Sequence, residues 1–395
     1  MAGFASLIFA YTLSQFFRSF LAVLTPALSA ELGATKADLS LASGAWFIAF
    51  AASQFAVGVA LDRFGPRITA GALLAIGGGG GALLFGVATA PWMLTVAMAM
   101  IGIGCSPVLM ASVFIFSHSY APARLAVLIS TVIGIGSLGN VVGAAPLAAA
   151  AQAFGWRGVM IALAVIGLAT AAAILLFVRD PKTEDHGPST GFAGYFELLK
   201  IRQLWPIIPL TAINYAPAAG IRGLWAGPYL GDVYQASVLD IGNVTLAMAL
   251  AMVAGNFIYG PLDQLFGTRK WVAFAGNSLS VVALTFLALH VGQGMFGDAV
   301  LLAMIGVCGA SYGLLMAHAS AFVPPHLTGR GVTLMNFFSV GGVGLFQFVT
   351  GALVTHVAEP ANPSAAYETL FWFYAAIVAV ALVIFLFARD APPKR

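Results

Sequence analysis

Long uncharged apolar runs constrain this chain more than any other feature. Twelve can be marked along its 395 residues, at about 5–30, 40–61, 68–88, 92–118, 125–150, 157–178, 204–231, 241–262, 271–291, 298–322, 331–357 and 366–388. A helix of roughly 20 residues crosses a hydrocarbon core about 30 Å thick, so each run is a candidate membrane span. Only 8% of the residues are charged and 61% are hydrophobic, with a mean hydropathy of +0.97. Soluble domains carry charge on about a quarter of their residues. The chain reads as an all-α integral membrane protein whose first partner is the lipid bilayer. No basic stretch precedes the first run, which is too long for a cleavable leader. Cys105 and Cys308 lie inside apolar runs and make no disulfide framework. A net charge of +3 is too small to point to nucleic acid.

The longest polar stretch, "RDPKTEDHGPSTGFAGYFELLKIRQ" (179–203), separates the first six runs from the last six. It reads as a linker that ends in a short amphipathic helix at the membrane surface. The expected organisation is a six-helix bundle at 1–178, the linker at 179–203 and a second six-helix bundle at 204–395. With both termini in the cytoplasm, thirteen Lys and Arg outside the runs fall on that side, against Lys36 and Arg157 on the other. This bias sets the orientation in a plasma (inner) membrane. The halves also repeat. An offset of 202 lays "ASQFAVGVALDRFGPR" (52–67) over "AGNFIYGPLDQLFGTR" (254–269), with identical residues at 52, 55, 58, 64, 65 and 67. The same offset lays Pro26 over Pro228. Two pseudo-symmetric bundles are expected.

"GVALDRFGPR" (58–67) resembles the signature loop of the major facilitator superfamily, G-x-x-x-D-R-x-G-x-R, with Gly58, Asp62, Arg63, Gly65 and Arg67 all in place. The resemblance covers the whole chain, including a degenerate second copy in which the acid stands at Asp263 and the arginine at Arg269. It implies a twelve-helix transporter without a cofactor, not an enzyme, working as a monomer by alternating access. It also implies that the loop acid braces a neighbouring helix end while the basic residues pair across a cytoplasmic gate. A carboxylate at a helix N-terminus and arginines beside carboxylates make a breakable latch. Two further patterns are incomplete. "AMAMIGIGCSPV" (97–108) resembles a stretch linked to proton coupling, but Met98 stands where arginine would be. "GIGSLGNVVGAAP" (134–146) resembles the antiporter glycine motif, interrupted by Ala144 and Ala145, and close helix packing explains its glycines equally well.

Two strong charges remain inside the runs, and both are arginines. Arg18 lies in "SQFFRSFLAV" and Arg222 in "GIRGLWAGPYL"; the offset of 202 carries Arg18 to within half a turn of Arg222. All fourteen acids fall in loops or near run ends. An ionisable residue inside a span usually faces a polar pathway. Arginine stays charged and its forked donors match a carboxylate or a phosphate. The expected partner is a small anionic substrate. Arginines in these two runs also resemble those of organophosphate–phosphate antiporters in this superfamily, and phosphate and carboxylate both stay open. Breaks expected at Pro217, Gly220, Gly227 and Pro228 would loosen the helix beside Arg222.

Helical spacing puts Tyr11, Ser14 and Gln15 on the face of Arg18, and Tyr215, Ala218, Ala219 and Trp225 on that of Arg222. Asn140, Tyr312 and His318 are further hydrogen-bonding candidates. Without an acid in the spans, His318 or the substrate would carry any coupled proton. The expected function is transport of a small organic anion, with Arg18 and Arg222 as its binding groups. A proton-coupled drug or metabolite exporter is one alternative, although it should carry an acid in a span. A copper(I) importer using Met248 and Met252 is another, although Met is more often a core residue.

Overall fold

The computed structural model describes residues 2–119, 122–180, 193–324, 327–359 and 362–392, apart from the side chains of 62, 117–119, 122–127, 130, 193 and 328. It is helical nearly throughout. Nine helices among the described residues are long and apolar enough to cross a membrane, and ten when the bent pair Ala2–Phe16 and Leu21–Leu32 is one span. The fifth and seventh spans bring the total to twelve, because each is cut into shorter pieces. The fifth runs through Pro122–Gly136 and Leu138–Val142 into the start of Ala145–Phe177. That last helix also holds the sixth span, the two meeting at a kink at Gly155 where a separate loop was expected. The second and third spans meet in the same way at Gly65, inside Lys36–Leu73.

The first span is also not the continuous helix expected over 5–30. It stops at Phe16 and restarts at Leu21, with a 54° bend across the break. The seventh consists of Ile208–Ile213, Ala216–Gly220, a π-helical turn Ile221–Trp225 and Ala226–Tyr234. Its irregularity follows Pro217 and Gly220, whereas Gly227 and Pro228 sit in regular helix.

Chain contacts divide the protein into two compact units, Met1–Gly187 and Pro188–Arg395. Of the polar linker, residues 181–192 lie outside the described residues. Its end forms the helix Ala193–Leu199, whose Leu198 is buried in the core of the second unit. Each unit has an apolar core to which all six of its spans contribute. In the first, Leu7, Val57, Leu74, Val108, Val132 and Ile174 meet. In the second, Leu210, Tyr259, Val272, Leu315, Met335 and Leu382 do. The offset of 202 also holds in backbone detail. Thr35 and Asp38 form a capping box before the second span, and Ser237 and Asp240 form the corresponding one before the eighth. In each box the hydroxyl and carboxylate satisfy two otherwise orphaned N–H groups.

Candidate functional site

Arg18 lies in the break of the first span. The chain between Phe16 and Leu21 makes tight turn bonds, Arg18 N–H to Gln15 O at 3.3 Å and Ser19 N–H to Phe16 O at 3.0 Å. Phe16, Phe17 and Phe20 pack against one another there, their ring centroids 5.6–5.8 Å apart. The guanidinium is thereby turned onto the second span, its Cζ 4.8 Å from the Phe50 ring centroid and 5.4 Å from that of Trp46. Cation–π contacts of this kind contribute about 2 kcal/mol when desolvated. Arg18 Nε, Ser14 Oγ and Trp46 Nε1 are buried without a hydrogen-bond partner among the described residues. No acid among the described residues forms an ion pair with Arg18.

The other candidates of the first unit form a small polar seam beside this break. Gln15 Nε2 donates to Tyr11 Oη at 2.6 Å, and Asn140 Nδ2 reaches Gln15 Oε1 at 3.5 Å. The close approach depends on glycine. A Cβ on Gly139 would lie 2.0 Å from Thr12 O, and one on Gly136 would lie 2.2 Å from the Tyr11 ring. The interrupted glycine motif thus brings the fifth span against the first.

In the second unit Arg222 is 1% exposed within the π-helical turn. The same turn is tied to the eleventh span: Trp225 Nε1 donates to Thr350 Oγ1 at 3.0 Å, and Gln347 Nε2 to Gly220 O at 3.2 Å. The Tyr215 and Tyr312 rings lie 6.1 Å apart, and Tyr312 Oη donates to Asn336 Oδ1 at 2.7 Å. Asn214 and Asn277 both donate to Ser311 Oγ, at 3.0 and 3.1 Å. Asn336, Gln347, Thr350 and the Trp46–Phe50 pair were missed in the sequence. A polar side chain within an apolar run was the available signal for the first three. Nothing in the spacing announced which rings would hold Arg18.

His318 does not join this group. It is fully buried, its Nε2 meets Arg389 O at 2.9 Å, and its ring packs against Phe322 and Phe385. Met248 is buried and Met252 lies against Gly306, both in the packing of the eighth span on the tenth. No group of three or more His, Cys, Asp or Glu among the described residues suits a metal ion.

The signature loop is organised by a residue the sequence reading passed over. Gly65 has φ +80°, open to glycine but strained for any other residue, and this turns the chain sharply into the third span. There Arg67 N–H donates to Asp180 Oδ1 at 2.8 Å, from the end of the sixth span. Arg63 lies over the Phe64 ring at 5.4 Å, and the Asp62 side chain is outside the described residues. In the second copy Asp263 pairs with Arg269 at 3.2 Å, and Arg269 Nη1 also donates to Ala317 O at 3.3 Å. Asp390, at the end of the twelfth span, plays the part of Asp180. Its carboxylate accepts from Lys270 N–H at 3.0 Å and Thr268 Oγ1 at 2.5 Å. Partial burial pushes this carboxyl up, but hydrogen bonds from Thr268, Lys270 and Ala391 outweigh it and hold the group below the usual carboxylate value. The signal was present as "VRD" (178–180) and "ARD" (388–390), closing the last run of each half.

The comparisons with known proteins agree with this architecture. The chain matches the Major Facilitator Superfamily over residues 7–221 and again over 207–395. It is 24% identical over 364 residues to the hexuronate transporter of Bacillus subtilis (strain 168), covering 85% of this chain and 82% of that one. The fold is shared with a bacterial homolog of the human lysosomal transporter Spinster, at a TM-score of 0.78, 19% identity and coverage of 98% and 96%. It is shared equally with a D-xylose-proton symporter, at a TM-score of 0.78, 14% identity and coverage of 98% and 97%. With a family match across both halves and a helical fold to go with it, the chain belongs to the Major Facilitator Superfamily and is a multi-pass membrane transporter, not an enzyme.

Proposed function

We propose that the chain carries a small organic anion by alternating access, with Arg18 and Arg222 as the groups that bind its negative charge. The observation that carries this reading is Arg18, a guanidinium set in a helix break with its Nε buried and, among the described residues, unbonded and unpaired with any acid. A sugar acid is the preferred class, since the relative in Bacillus subtilis is a hexuronate transporter. Both termini lie in the cytoplasm and the monomer is the working unit. The loops at Asp62–Arg67 and Asp263–Arg269 latch the cytoplasmic side, so Asp62→Asn slows turnover while leaving substrate affinity of the purified protein intact.

A titration of D-glucuronate against well-folded Arg18→Gln and Arg222→Gln proteins tests the reading. Truncating one member of a buried charge pair typically costs about 2–5 kcal/mol, roughly 30- to several-thousand-fold in affinity. Arg→Lys restores only part of this, because the charge returns without the fork. Unaltered dissociation constants in both Gln variants would overturn the assignment.

A further inference from the structure

Around Arg18 the fold leaves hydrogen-bonding capacity unused, and that capacity bears on more of a substrate than its charge. Arg18 is half-buried, while Trp46 and Ser14 are fully buried. Arg18 Nε, Trp46 Nε1 and Ser14 Oγ are closed to water and have no hydrogen-bond partner among the described residues. Three spans of the first unit bring them together. The first supplies Ser14 and, in its break, Arg18; the second lays the Trp46 ring 5.4 Å from the guanidinium carbon. The fourth closes the back. A Cβ on Gly102 would lie 2.3 Å from Trp46 O, so only glycine lets this helix come so near. Three residues on, the Cys105 thiol faces both Ser14 and Arg18. A thiol is a weak partner and does not satisfy the serine hydroxyl.

We propose that Trp46 and Ser14 make this a site for hydroxy acids, carboxylates with a hydroxyl on the neighbouring carbon, an inference that rests on the anion-carrier reading. The carboxylate accepts from the Arg18 guanidinium. The neighbouring hydroxyl accepts from the indole Nε1–H and donates its own proton to Ser14 Oγ. Each partner has the right sense, since an indole only donates whereas a hydroxyl both donates and accepts. The indole lies against the guanidinium, so the two contacts fall on adjacent carbons of one ligand. In a cyclic sugar acid the ring oxygen stands in that place and accepts from the indole alone.

An unsubstituted carboxylate satisfies Arg18 but leaves Trp46 and Ser14 buried and unbonded. A site built to bond a substrate hydroxyl rejects the analogue that lacks it, because its own polar groups then stay unmade. Phenylalanine at 46 would still cover the guanidinium, and alanine at 14 would remove the orphaned hydroxyl, so packing alone requires neither polar atom. Both are enclosed in this conformation and meet the substrate as the turn between Phe16 and Leu21 shifts to admit it beside Arg18.

Titrations of the purified protein with D-gluconate and 2-deoxy-D-gluconate, which differ by that one hydroxyl, test this. Lactate and propanoate repeat the comparison on a shorter chain. The wild type is expected to bind the hydroxy acid of each pair about five- to a hundredfold more tightly. Trp46→Phe and Ser14→Ala are each expected to shrink that ratio, and the double variant to bring it close to one. Affinity for the deoxy acid should stay within about fivefold of wild type, since charge and ring contact remain. Ser14→Thr keeps the hydroxyl and should keep the ratio. Equal binding of both acids by the wild type would overturn the assignment. So would variants that weaken both acids alike, because a packing defect does not distinguish them. The anion-carrier reading fails in another way: Arg18→Gln would bind every acid as tightly as wild type, or the wild type would bind none, and the assignment would fall with it.

Discussion

At Arg18 an aromatic pair takes the place of a counter-ion. Trp46 and Phe50 hold the guanidinium face by cation–π contact and leave its Nε–H unspent among the described residues, which a carboxylate partner could have consumed. Trp46→Leu is therefore expected to weaken anion binding by roughly five- to thirtyfold, or about 1–2 kcal/mol, with Trp46→Phe in between. Equal affinity in the Leu variant would show that the rings only fill space. Asp390 gives a pH test at the same scale. Its carboxyl is held below the ordinary value of 3.8 in the folded protein, so its contribution is present above that value and fades as pH falls through the lowered one. Asp390→Asn should lower the melting temperature at neutral pH, and the gap from wild type should close in acid. A gap that persisted once pH had fallen well below that lowered value would assign the effect to packing instead.

Among the elements, the first and fifth spans are joined by what glycine leaves out. Alanine at Gly139 would put a methyl group 2.0 Å from the backbone oxygen of Thr12, where no rotamer change relieves it. Gly139→Ala should cost about 1–3 kcal/mol and disturb the Tyr11–Gln15–Asn140 seam, lowering both thermal stability and affinity. A variant with wild-type melting and binding would mean that the two helices have slack at this point. Much of this scale was legible beforehand. Run lengths gave the spans, and Gly and Pro marked the seventh as broken. The break of the first span was not legible, because "SQFFRSF" contains no glycine or proline and its turn is set by three packed phenylalanines. The helical spacing that joined Tyr11, Ser14 and Gln15 to Arg18 consequently does not run through to it. The surroundings of His318 were not legible for a related reason, since sequence gives a residue's depth along a helix but not which neighbours surround it.

For the whole molecule, the repeat runs deeper than sequence identity. Positive-φ positions recur at Gly33 and Gln235, and at Gly65 and Gly267, under the one offset that relates the capping boxes. Each unit also ends in an acid that accepts the first N–H groups of its third span, Asp180 in one and Asp390 in the other. Neither cap shares a partner with the other, so Asp180→Ala and Asp390→Ala should each cost about 1 kcal/mol in unfolding, as a lost helix cap does. Their effects on stability should add to within about 0.5 kcal/mol in the double variant. Turnover should behave differently. The proposed alternating access would engage both halves in one cycle, so once either cap is lost and that half has become limiting, losing the second should slow transport by less than the product of the single effects. Stability measured by chemical denaturation and turnover measured by counterflow, in the same four proteins, separate the two quantities. Additive stability with multiplicative turnover would mean that the halves move independently, and the reading of the caps as parts of one shared motion would fail.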